Sequence, residues 1–378
     1  MPNVVIVGGG AMGASIAYHL AAKGVKDVVL LERENALAMG STGRSVGGIR
    51  HQFSSAVNIR LSLGSVAKYK RFNDEIGPAD FHWVGYCFLL DNEGDVLAFQ
   101  RNASLQQSLG VPVELITPAQ AQEFVPQLNV DDILAATICF ADGFGDPSAV
   151  ALGYAGAARR LGADIRTNTA VIGVRVDGGR VKAVRTERDE IEAEWVIDAA
   201  GPWAAAVAAM AGVELPIVPL RRQVFITEPF DLMPPMCPMV IDFSPSFYFR
   251  REGPALLIGM ADKSEPPGFQ TQWDASFRDK VIEQAIHRVP VIESARIARG
   301  WGGLYDTTPD ANPIIGPVPE VENFLVAAGF SGHGFMHSPM AGQLIAEMIC
   351  GEAPAIDVGE LSVLRFRAGQ APAEKNVI

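Results

Sequence analysis

The chain has 378 residues, 48% of them hydrophobic and 20% charged, which is typical of a soluble globular protein too large for one ordinary core. Its net charge of −12 and its lack of a basic run argue against a nucleic-acid partner. No apolar stretch is long enough for a membrane span, the N-terminus begins on a strand rather than a signal peptide, and the four cysteines are scattered, so we expect a cytoplasmic protein without a metal site or a disulfide framework.

The first predicted element is a strand that runs into a glycine-rich turn. Val4–Val7 is a short β-branched run typical of a buried strand, and the apolar residues from 14 to 20 repeat with the period of a helix. Between them stand three glycines in G-x-G-x-x-G spacing, Gly8, Gly10 and Gly13. The first permits the sharp turn, the second lets backbone approach a pyrophosphate, and the third lets helix and strand pack closely.

A second strand completes this unit. Val28–Leu31 is apolar and closes on Glu32, whose carboxylate is placed to accept hydrogen bonds from ribose hydroxyls. Strand, glycines, helix, second strand and acid stand in the order of a dinucleotide-binding βαβ unit, which predicts such a site. These residues alone leave NAD and FAD open as the ligand.

The next segments alternate between loop, helix and strand. Residues 40–50 are rich in glycine and serine and carry two arginines, so backbone and hydroxyl groups there can approach a ligand. Residues 54–72 predict an amphipathic helix, and a different region begins near Phe81. Its predicted elements are a strand at 83–90, a helix at 97–109, and a helix with Thr117 as N-cap and Pro118 as first residue.

The middle of the chain again has the pattern of a nucleotide site. A helix is predicted from 146 to 161, followed by strands at 164–166, 170–176 and 181–186, the last two joined by a tight glycine turn. Residues 194–198 predict a buried strand that ends on small residues, where backbone can close over a bound nucleotide.

The last part of the chain closes with a further strand–loop–helix pattern. The predicted strands are 220–227, 246–249, 255–260, 294–303 and 323–328, with a helix at 276–288. The last strand leads into the glycine-rich sequence GFSGHGF at 329–335 and a helix at 338–350. Free N–H groups and a positive helix end would face a ligand there.

Nucleotide-type segments at the start, middle and end of the chain are separated by two inserts. We therefore predict an α/β fold with two interleaved domains. The first, Rossmann-like, comprises residues 1–81, 143–225 and 301–378. The second, of α+β class and built on a mainly antiparallel sheet that binds substrate, comprises residues 82–142 and 226–300.

Four segments resemble those of a known family, in the same order over nearly the whole chain: GGGAMG, STGRSVGGIR, WVIDAAGPWA and GFSGHGF. They are similar to the D-amino-acid-oxidase superfamily of FAD enzymes. Within it, the chain resembles sarcosine oxidases, dimethylglycine dehydrogenases, the β subunit of archaeal L-proline dehydrogenase and D-amino-acid dehydrogenases. The resemblance implies that the first domain is a Rossmann-like FAD-binding domain, and it is a poor guide to the substrate.

The resemblance also implies which residues bind FAD. The N-terminal glycines and Glu32 would hold the ADP half, and Val171 would contact the adenine side. The start of the last helix would donate to the N1–C2 carbonyl edge of the flavin, where the reduced ring carries negative charge. The full predicted set is Gly8, Gly10, Ala11, Met12, Gly13, Glu32, Arg33, Ser41, Thr42, Arg44, Ser45, Gly47, Val171, Ala200, Gly201, Trp203, Gly303, Gly332, His333, Gly334, Phe335 and Met336.

On the substrate side, the resemblance points to an arginine and two tyrosines. Arg50 falls where sarcosine oxidase has an arginine for the substrate carboxylate, and a guanidinium matches carboxylate geometry. Tyr248 matches an active-site tyrosine, and Tyr305 stands where sarcosine oxidase has a tyrosine and D-amino-acid dehydrogenases have an arginine. Arg222 and His51 are weaker candidates, and a structural role is favoured for each.

Three departures from the sarcosine oxidase pattern carry expectations. Gly303 stands where that enzyme has the cysteine that bonds to its flavin, so we expect non-covalent FAD. Met336 replaces a lysine that contacts the substrate carboxylate, so that site should differ. Leu257 replaces a lysine that assists oxygen activation, which slightly favours a dehydrogenase over an oxidase.

The resemblance therefore predicts oxidation of the CH–NH bond of a small amino acid, such as sarcosine, proline or a D-amino acid. Hydride would move to flavin N5, the imine would hydrolyse afterwards, and oxygen or a carrier would accept the electrons. The alternatives are oxidation of a 2-hydroxy acid on the same fold and a non-catalytic FAD-binding partner protein. A homo- or hetero-oligomer is compatible with the sequence.

Overall fold

The structure is a computed structural model that describes residues 3–369 and 373–377. In chain order its strands are Val4–Val7 (β1), Val28–Leu31 (β2), Gly48–Ile49 (β3), Phe81–His82 (β4), Tyr86–Leu90 (β5), Glu114–Ile116 (β6), Ala135–Cys139 (β7), Gly143–Gly145 (β8), Asp164–Arg166 (β9), Val171–Asp177 (β10), Arg180–Thr186 (β11), Glu190–Glu192 (β12), Trp195–Asp198 (β13), Val218–Thr227 (β14), Met239–Asp242 (β15), Phe247–Glu252 (β16), Ala255–Met260 (β17), Ile297–Thr307 (β18), Ile314–Pro317 (β19) and Phe324–Ala328 (β20).

The α-helices are Ala11–Ala22 (α1), Ser41–Arg44 (α2), Ala56–Tyr69 (α3), Phe72–Glu75 (α4), Glu93–Ser108 (α5), Pro118–Phe124 (α6), Pro147–Arg160 (α7), Ala204–Met210 (α8), Ala275–Arg288 (α9), Gly334–Ile349 (α10) and Leu364–Arg367 (α11). Short 3₁₀ helices lie at Gly201–Trp203, Pro290–Ser294 and Gly359–Leu361. Across the described residues, no helix combines the length and the apolarity needed to cross a bilayer.

The first large sheet has the order β19-β20-β13-β1-β2-β9 and is parallel except for the pair β19–β20. Both faces of β1 are covered. Ile6 packs into a cluster with residues of α1, α7 and α10, while Val5 and Val7 pack into a second cluster that includes α8 and the sheet β10-β11-β12. Burial on both faces explains the uninterrupted apolar run of this strand.

The second large sheet has the order β18-β14-β17-β16-β15-β5-β7-β6, and its pairs are antiparallel except β15–β5. Successive side chains of β16 point to opposite faces. Phe247 and Phe249 pack with Phe277 and Val281 of α9, whereas Tyr248 faces a different cluster that includes Val224 of β14. The mainly antiparallel sheet that was predicted for the second domain is therefore present.

Most predicted elements are present, with shifted bounds. The capping box at Thr117 is formed, with Gln120 as its partner and Pro118 as the first helical residue. The strand predicted from 294 begins at Ile297, because Pro290–Ser294 forms a 3₁₀ helix, and it continues to Thr307. The last helix begins at Gly334 instead of 338. The short strands β3, β4, β6, β8, β12, β15 and β19 were not predicted.

The predicted boundaries at 225/226 and 300/301 fall inside strands. Residues 218–227 form β14 and residues 297–307 form β18, and both belong in full to the eight-stranded sheet. A boundary that cuts a hydrogen-bonded strand is physically wrong at those two points. The division into two interleaved domains itself stays a prediction.

The tail formed by residues 373–377 lies against the N-terminal end of α3. The buried Glu374 carboxylate accepts hydrogen bonds from the backbone and hydroxyl groups of Ser54 and Ser55, at 2.6–3.2 Å, and from the side-chain amide of Asn58 at 3.0 Å. An anion at a helix N-terminus is stabilised by the free N–H groups and the helix dipole. The Asn376 side chain donates to the carbonyl of Gln52 at 3.1 Å.

Candidate functional site

A cavity of about 610 Å³ is lined by residues of both large sheets. It unites segments that are far apart in sequence, from the glycine-rich turn after β1 to the start of α10. All of the predicted cofactor and substrate residues line it except Gly13, Gly47 and His51. The roles assigned to these residues remain predictions, but the fold places the residues around one cavity.

The turn after β1 can be built only with glycine. Gly8 has φ +111°, and a Cβ placed there would lie 2.5 Å from the carbonyl oxygen of Ala199. A Cβ on Gly13 would lie 1.9 Å from the carbonyl oxygen of Gly8. Gly13 therefore acts from behind the cavity wall, by letting α1 approach the turn, as the sequence pattern predicted.

Polar side chains orient the backbone at this end of the cavity. The Glu32 carboxylate accepts from the N–H of Gly9 at 2.7 Å and from that of Glu34 at 2.9 Å. The Thr42 hydroxyl accepts from the N–H of Ala11, the first residue of α1, at 3.0 Å. The Arg33 guanidinium lies 3.8 Å from the ring centroid of Trp203. We call this region the nucleotide end.

The opposite end of the cavity, which we call the reacting end, is built from large side chains. Tyr248 and Tyr305 line it together with Tyr86. Each of the first two lies over a glycine: a Cβ on Gly259 would be 2.3 Å from the Tyr248 ring, and one on Gly332 would be 2.4 Å from the Tyr305 ring. Burial raises the pKa of Tyr248 and of Tyr305, so both phenols keep their protons and can donate hydrogen bonds.

Arg50 reaches the cavity, but its donors are engaged by the protein. Its Nη1 donates to the carbonyl of Gln52 at 2.5 Å, its Nη2 donates to the carbonyl of Asn376, and its Nη2 lies 3.4 Å from His333 Nε2. The guanidinium carbon lies 4.0 Å from the centroid of the Phe53 ring. Arg50 is 2% exposed. Its predicted role in binding a substrate carboxylate competes with these contacts.

His51 does not line the cavity. Its Nδ1 lies 2.6 Å from the Asp142 carboxylate, which also accepts from the N–H of His51 and from the side-chain amide of Gln52. The ligand atoms of His51, Cys139 and Asp142 lie within 4.8 Å of one another. The hydrogen bonds already account for this carboxylate, which is consistent with the structural role that we favoured for His51.

Two other histidines stand behind the reacting end. Burial lowers the pKa of His333 well below its usual value and lowers that of His337 to about 3. His337 Nε2 lies 2.9 Å from the Ser62 hydroxyl. Both rings are therefore neutral at physiological pH, and neither adds a charge to the inner wall of the cavity.

Several lining residues were missed by sequence reasoning. Burial raises the pKa of Asp306 to about 6, and its carboxylate accepts from the N–H groups of Gly329 and Phe330. Tyr86 belongs to the apolar strand YCFLL and reads as a core residue in the sequence. Phe269 comes from a loop and stacks on Trp203, with 5.4 Å between ring centroids. No local signal distinguishes these residues, since only the tertiary fold brings them to the cavity.

The three departures from the family pattern fall at informative places. Gly303 lines the cavity opposite Arg222 on the neighbouring strand, and Met336 lines it at the start of α10. Leu257 is 2% exposed within an apolar cluster and is not among the lining residues. Neither Gly303 nor Met336 brings a nucleophile or a cation to this wall.

The donor set and the shape of the cavity fit FAD. The N-terminal residues of α1 and of α10 both face this space, which offers backbone N–H groups to a pyrophosphate at one end and to a flavin carbonyl edge at the other. Gly8 and Gly332 have no room for a Cβ, because it would meet the carbonyl oxygen of Ala199 and the ring of Tyr305, so these two positions present bare backbone to the cavity. The segments 8–12, 41–45, 199–203 and 332–336 would hold the cofactor.

Comparison with known proteins agrees with this site. The model of the DAO family, described as FAD-dependent oxidoreductase, matches residues 3–348. Over 100% of this chain, 32% of residues are identical to FAD-dependent oxidoreductase domain-containing protein 1 of Xenopus laevis, of which 85% is covered. Mitochondrial sarcosine dehydrogenase of Mus musculus is 33% identical over 96% of this chain, which spans only 41% of that relative.

A solved structure is similar over its full length. L-proline dehydrogenase from P. horikoshii superimposes with a TM-score of 0.92 and 34% sequence identity, covering 98% of each chain. The match extends through both large sheets. The predicted fold, family resemblance and cofactor are thereby confirmed.

Proposed function

This chain belongs to the DAO family of FAD-dependent oxidoreductases, and from that premise we propose that it oxidises the CH–NH bond of a small amino acid. A secondary amine such as an N-methyl or cyclic amino acid is favoured over a primary one. When bound, the flavin supplies the acceptor for the hydride that leaves the carbon next to nitrogen. Hydrolysis of the resulting imine would then follow.

One observation carries the proposal: the reacting end combines phenol donors and cationic guanidinium groups within the cavity that also contains the nucleotide-binding turn. Tyr248, Tyr305 and Arg222 line it together. Such a set suits a small carboxylate-bearing molecule. The similarity to L-proline dehydrogenase over 98% of both chains supports the same substrate class.

The residues at this end orient the substrate and do not remove its amine proton. The Asp306 carboxylate accepts from the N–H groups of Gly329 and Phe330. Burial and the neighbouring Arg50 charge lower the pKa of His333 well below its usual value, so its imidazole is a weak base. Neither forms a base–nucleophile pair with another lining side chain. The amine would therefore bind unprotonated, with the phenols of Tyr248 and Tyr305 as donors to the ligand.

We favour a dehydrogenase with non-covalent FAD. By the resemblance, Leu257 stands where a lysine would assist oxygen activation, and it is an apolar residue outside the cavity lining. Gly303 has no side-chain atom that could bond to the flavin. Acid precipitation of the holoprotein should release all of its flavin into the supernatant. Flavin that stays with the precipitate would contradict non-covalent binding. The cytoplasmic location and the oligomeric state stay predictions.

Anaerobic reduction tests the proposed reaction. Purified holoprotein is mixed with sarcosine, N,N-dimethylglycine, L-proline, glycine and D-alanine, and with the hydroxy acids D-lactate and 2-hydroxyglutarate, while the visible absorbance of the flavin is followed. We expect rapid bleaching by at least one secondary or tertiary amine. Admission of air should restore the absorbance slowly if the protein is a dehydrogenase.

Matched ligands sharpen this test. Pyrrolidine differs from L-proline by the carboxylate alone, so bleaching by proline and not by pyrrolidine would show that the carboxylate is needed. Bleaching by hydroxy acids alone would overturn the amine assignment. A flavin that no member of the panel reduces would indicate a non-catalytic FAD-binding protein.

A further inference from the structure

Arginines near the cavity differ in what their donors already bind. Arg221 makes bonds of 2.9–3.1 Å to both carboxylate oxygens of Glu265 and a further bond to the carbonyl of Gln272. Arg50 is held by the carbonyls of Gln52 and Asn376. Both guanidinium groups are therefore matched by acceptors of the protein itself.

Arg222 is different. It lines the cavity, and its Nη1 donates to the backbone carbonyl of Arg221 at 3.1 Å. Its Nε is buried without a hydrogen-bond partner, and no carboxylate of the described residues lies within ion-pair distance. A buried cationic donor without an acceptor is costly, so this position favours the arrival of an anion.

Arg222 faces the cavity together with two phenols. On β14 it is paired with Gly303 of β18, which also lines the cavity. Its guanidinium carbon lies 5.1 Å from the ring centroid of Tyr305. Tyr248 is close enough that the charge of Arg222 opposes the effect of burial on its pKa. Arg222 and the two phenols therefore face a common space.

Building on the amine oxidation proposed above, we propose that Arg222 is the binding residue for the substrate carboxylate, with Tyr305 and Tyr248 as neighbouring donors, and that Arg50 is a structural residue. A planar guanidinium can meet both oxygens of a carboxylate, and its free Nε is one of the two donors of that fork. The substrate class is then a small amine with a single carboxylate next to the reacting carbon.

Ligand binding tests this role without turnover. Pyrrole-2-carboxylate and its neutral analogue pyrrole-2-carboxamide are titrated into oxidised holoprotein, and the perturbation of the flavin spectrum gives the two dissociation constants. In the wild type, the carboxylate should bind at least about 10-fold more tightly, the lower range for hydrogen bonds to a charged group. Equal affinities would overturn the proposal whatever the variants do.

Two substitutions separate charge from geometry. Arg222→Met keeps the length of the side chain and removes the charge, and it should weaken the carboxylate by about 100-fold while leaving the carboxamide nearly unchanged. Arg222→Lys restores the charge without the planar fork and should recover part of the loss. Because the Nε of Arg222 has no protein partner, we expect both variants to fold.

Arg299→Met is the matched control. Arg299 lies on β18, paired with Ile226 of β14, and it is exposed outside the cavity. The substitution removes the same unit charge from the same pair of strands as Arg222→Met does. It should leave the dissociation constants of the carboxylate and the carboxamide within about twofold of the wild-type values. Carboxylate binding by Arg222→Met within threefold of the wild type would sink the assignment.

The outcome is separable from the proposed reaction. A wild type that binds the carboxylate through Arg222, but whose flavin no amine reduces, would keep the binding role and refute amine oxidation. A wild type whose flavin is reduced by amines, together with an Arg222→Met variant that still prefers the carboxylate to the carboxamide as strongly as the wild type, would keep amine oxidation and refute the binding role of Arg222.

Discussion

The nucleotide end and the reacting end of the cavity differ in whether backbone or side chains determine their shape. At the nucleotide end the contacts are made by backbone, and the residues that shape it are close in sequence, from Gly8 to Gly13 and on to Glu32. At the reacting end, large side chains from β14, β16, β18 and the loop after β3 meet. The shape of the nucleotide end therefore depends on glycines that have no side chain. The role of each side chain at the reacting end depends on the groups that it contacts.

The difference explains why residue type is informative at one end and misleading at the other. A glycine at positive φ or in a close approach has few substitutes. An arginine in a cavity can either hold the protein together or hold a ligand, and only its hydrogen bonds decide which. Arg50 and Arg222 lie in the same cavity, and their bonds point to opposite roles.

The largest expected effect comes from adding one methyl group behind the nucleotide end. In Gly13→Ala the new Cβ would lie 1.9 Å from the carbonyl oxygen of Gly8. The obstacle is backbone, which cannot move aside as a flexible side chain could, so we expect a loss of about 3 kcal/mol or more in the free energy of unfolding. The ratio of flavin to protein absorbance and the melting temperature measure it.

Gly156→Ala is the control for this substitution. Gly156 lies within α7, and a Cβ there would be 3.6 Å from the nearest side-chain atom, which is ordinary contact. It should stabilise the protein by about 0.5–1 kcal/mol, because alanine is the better helix former. If Gly13→Ala keeps its full flavin content and its stability, the nucleotide end does not depend on glycine at this position, and the difference that we describe between the two ends would be wrong.

The next effect concerns Arg50. Arg50→Met leaves the carbonyl of Asn376 without its donor and removes one of the two donors to the carbonyl of Gln52, so we expect a loss of about 2–3 kcal/mol in stability. If Arg50 is structural, the dissociation constant of pyrrole-2-carboxylate should change much less than in Arg222→Met. Thermal melting and the spectral titration together give both numbers.

Glu374→Gln is the companion variant for Arg50→Met. It weakens the same tail at Ser54 and Ser55 without touching the guanidinium. Its melting temperature should fall while carboxylate affinity is retained. An Arg50→Met protein with normal stability and abolished carboxylate binding would restore the role that the sequence suggested for Arg50.

The last expected effect is a pH dependence behind the nucleotide end. Asp198 ends β13, is fully buried, and accepts from the N–H of Ala200, while its Oδ2 has no partner among the described residues. Burial raises its pKa to about 8. The native state therefore binds this proton more tightly than the unfolded chain, and the stability it contributes is lost as pH rises from about 4 through 8.

Asp198→Asn removes this titration. The free energy of unfolding of the wild type should fall between pH 6 and 8 by up to about 1.4 kcal/mol per pH unit, and its melting temperature should fall with it. The asparagine variant should show a flatter dependence. Thermal melts of both proteins over this range compare the slopes. Parallel curves would show that Asp198 does not titrate there.

The parts that were predicted correctly depend on local rules. The βαβ unit, the N-cap at Thr117 and the helix α7 follow from periodicity, caps and turn residues within a few positions of one another. The parts that were missed depend on distant partners. Strand β15 forms because it pairs with β5 and β16 on its two sides. Its four residues, Met239–Asp242, follow a proline-rich stretch, and no pattern within them predicts a strand in the interior of a sheet.

The site follows the same division. Gly8, Gly10 and Glu32 at the nucleotide end could be named from their spacing, whereas no local pattern identifies Asp306 or Phe269. For Arg50, the decisive partner is the carbonyl of Asn376, which lies 326 residues away in sequence. No pattern around Arg50 contains that information.

This separation has a consequence for the order in which the protein is made. Arg50 leaves the ribosome long before residues 373–377 are synthesised, so the wall behind the reacting end lacks its partner until Asn376, 326 residues further on, has been made. Domains generally fold as their segments emerge, N-terminal parts first. The nucleotide end can therefore form early, whereas the inner wall closes only after residue 376 has emerged.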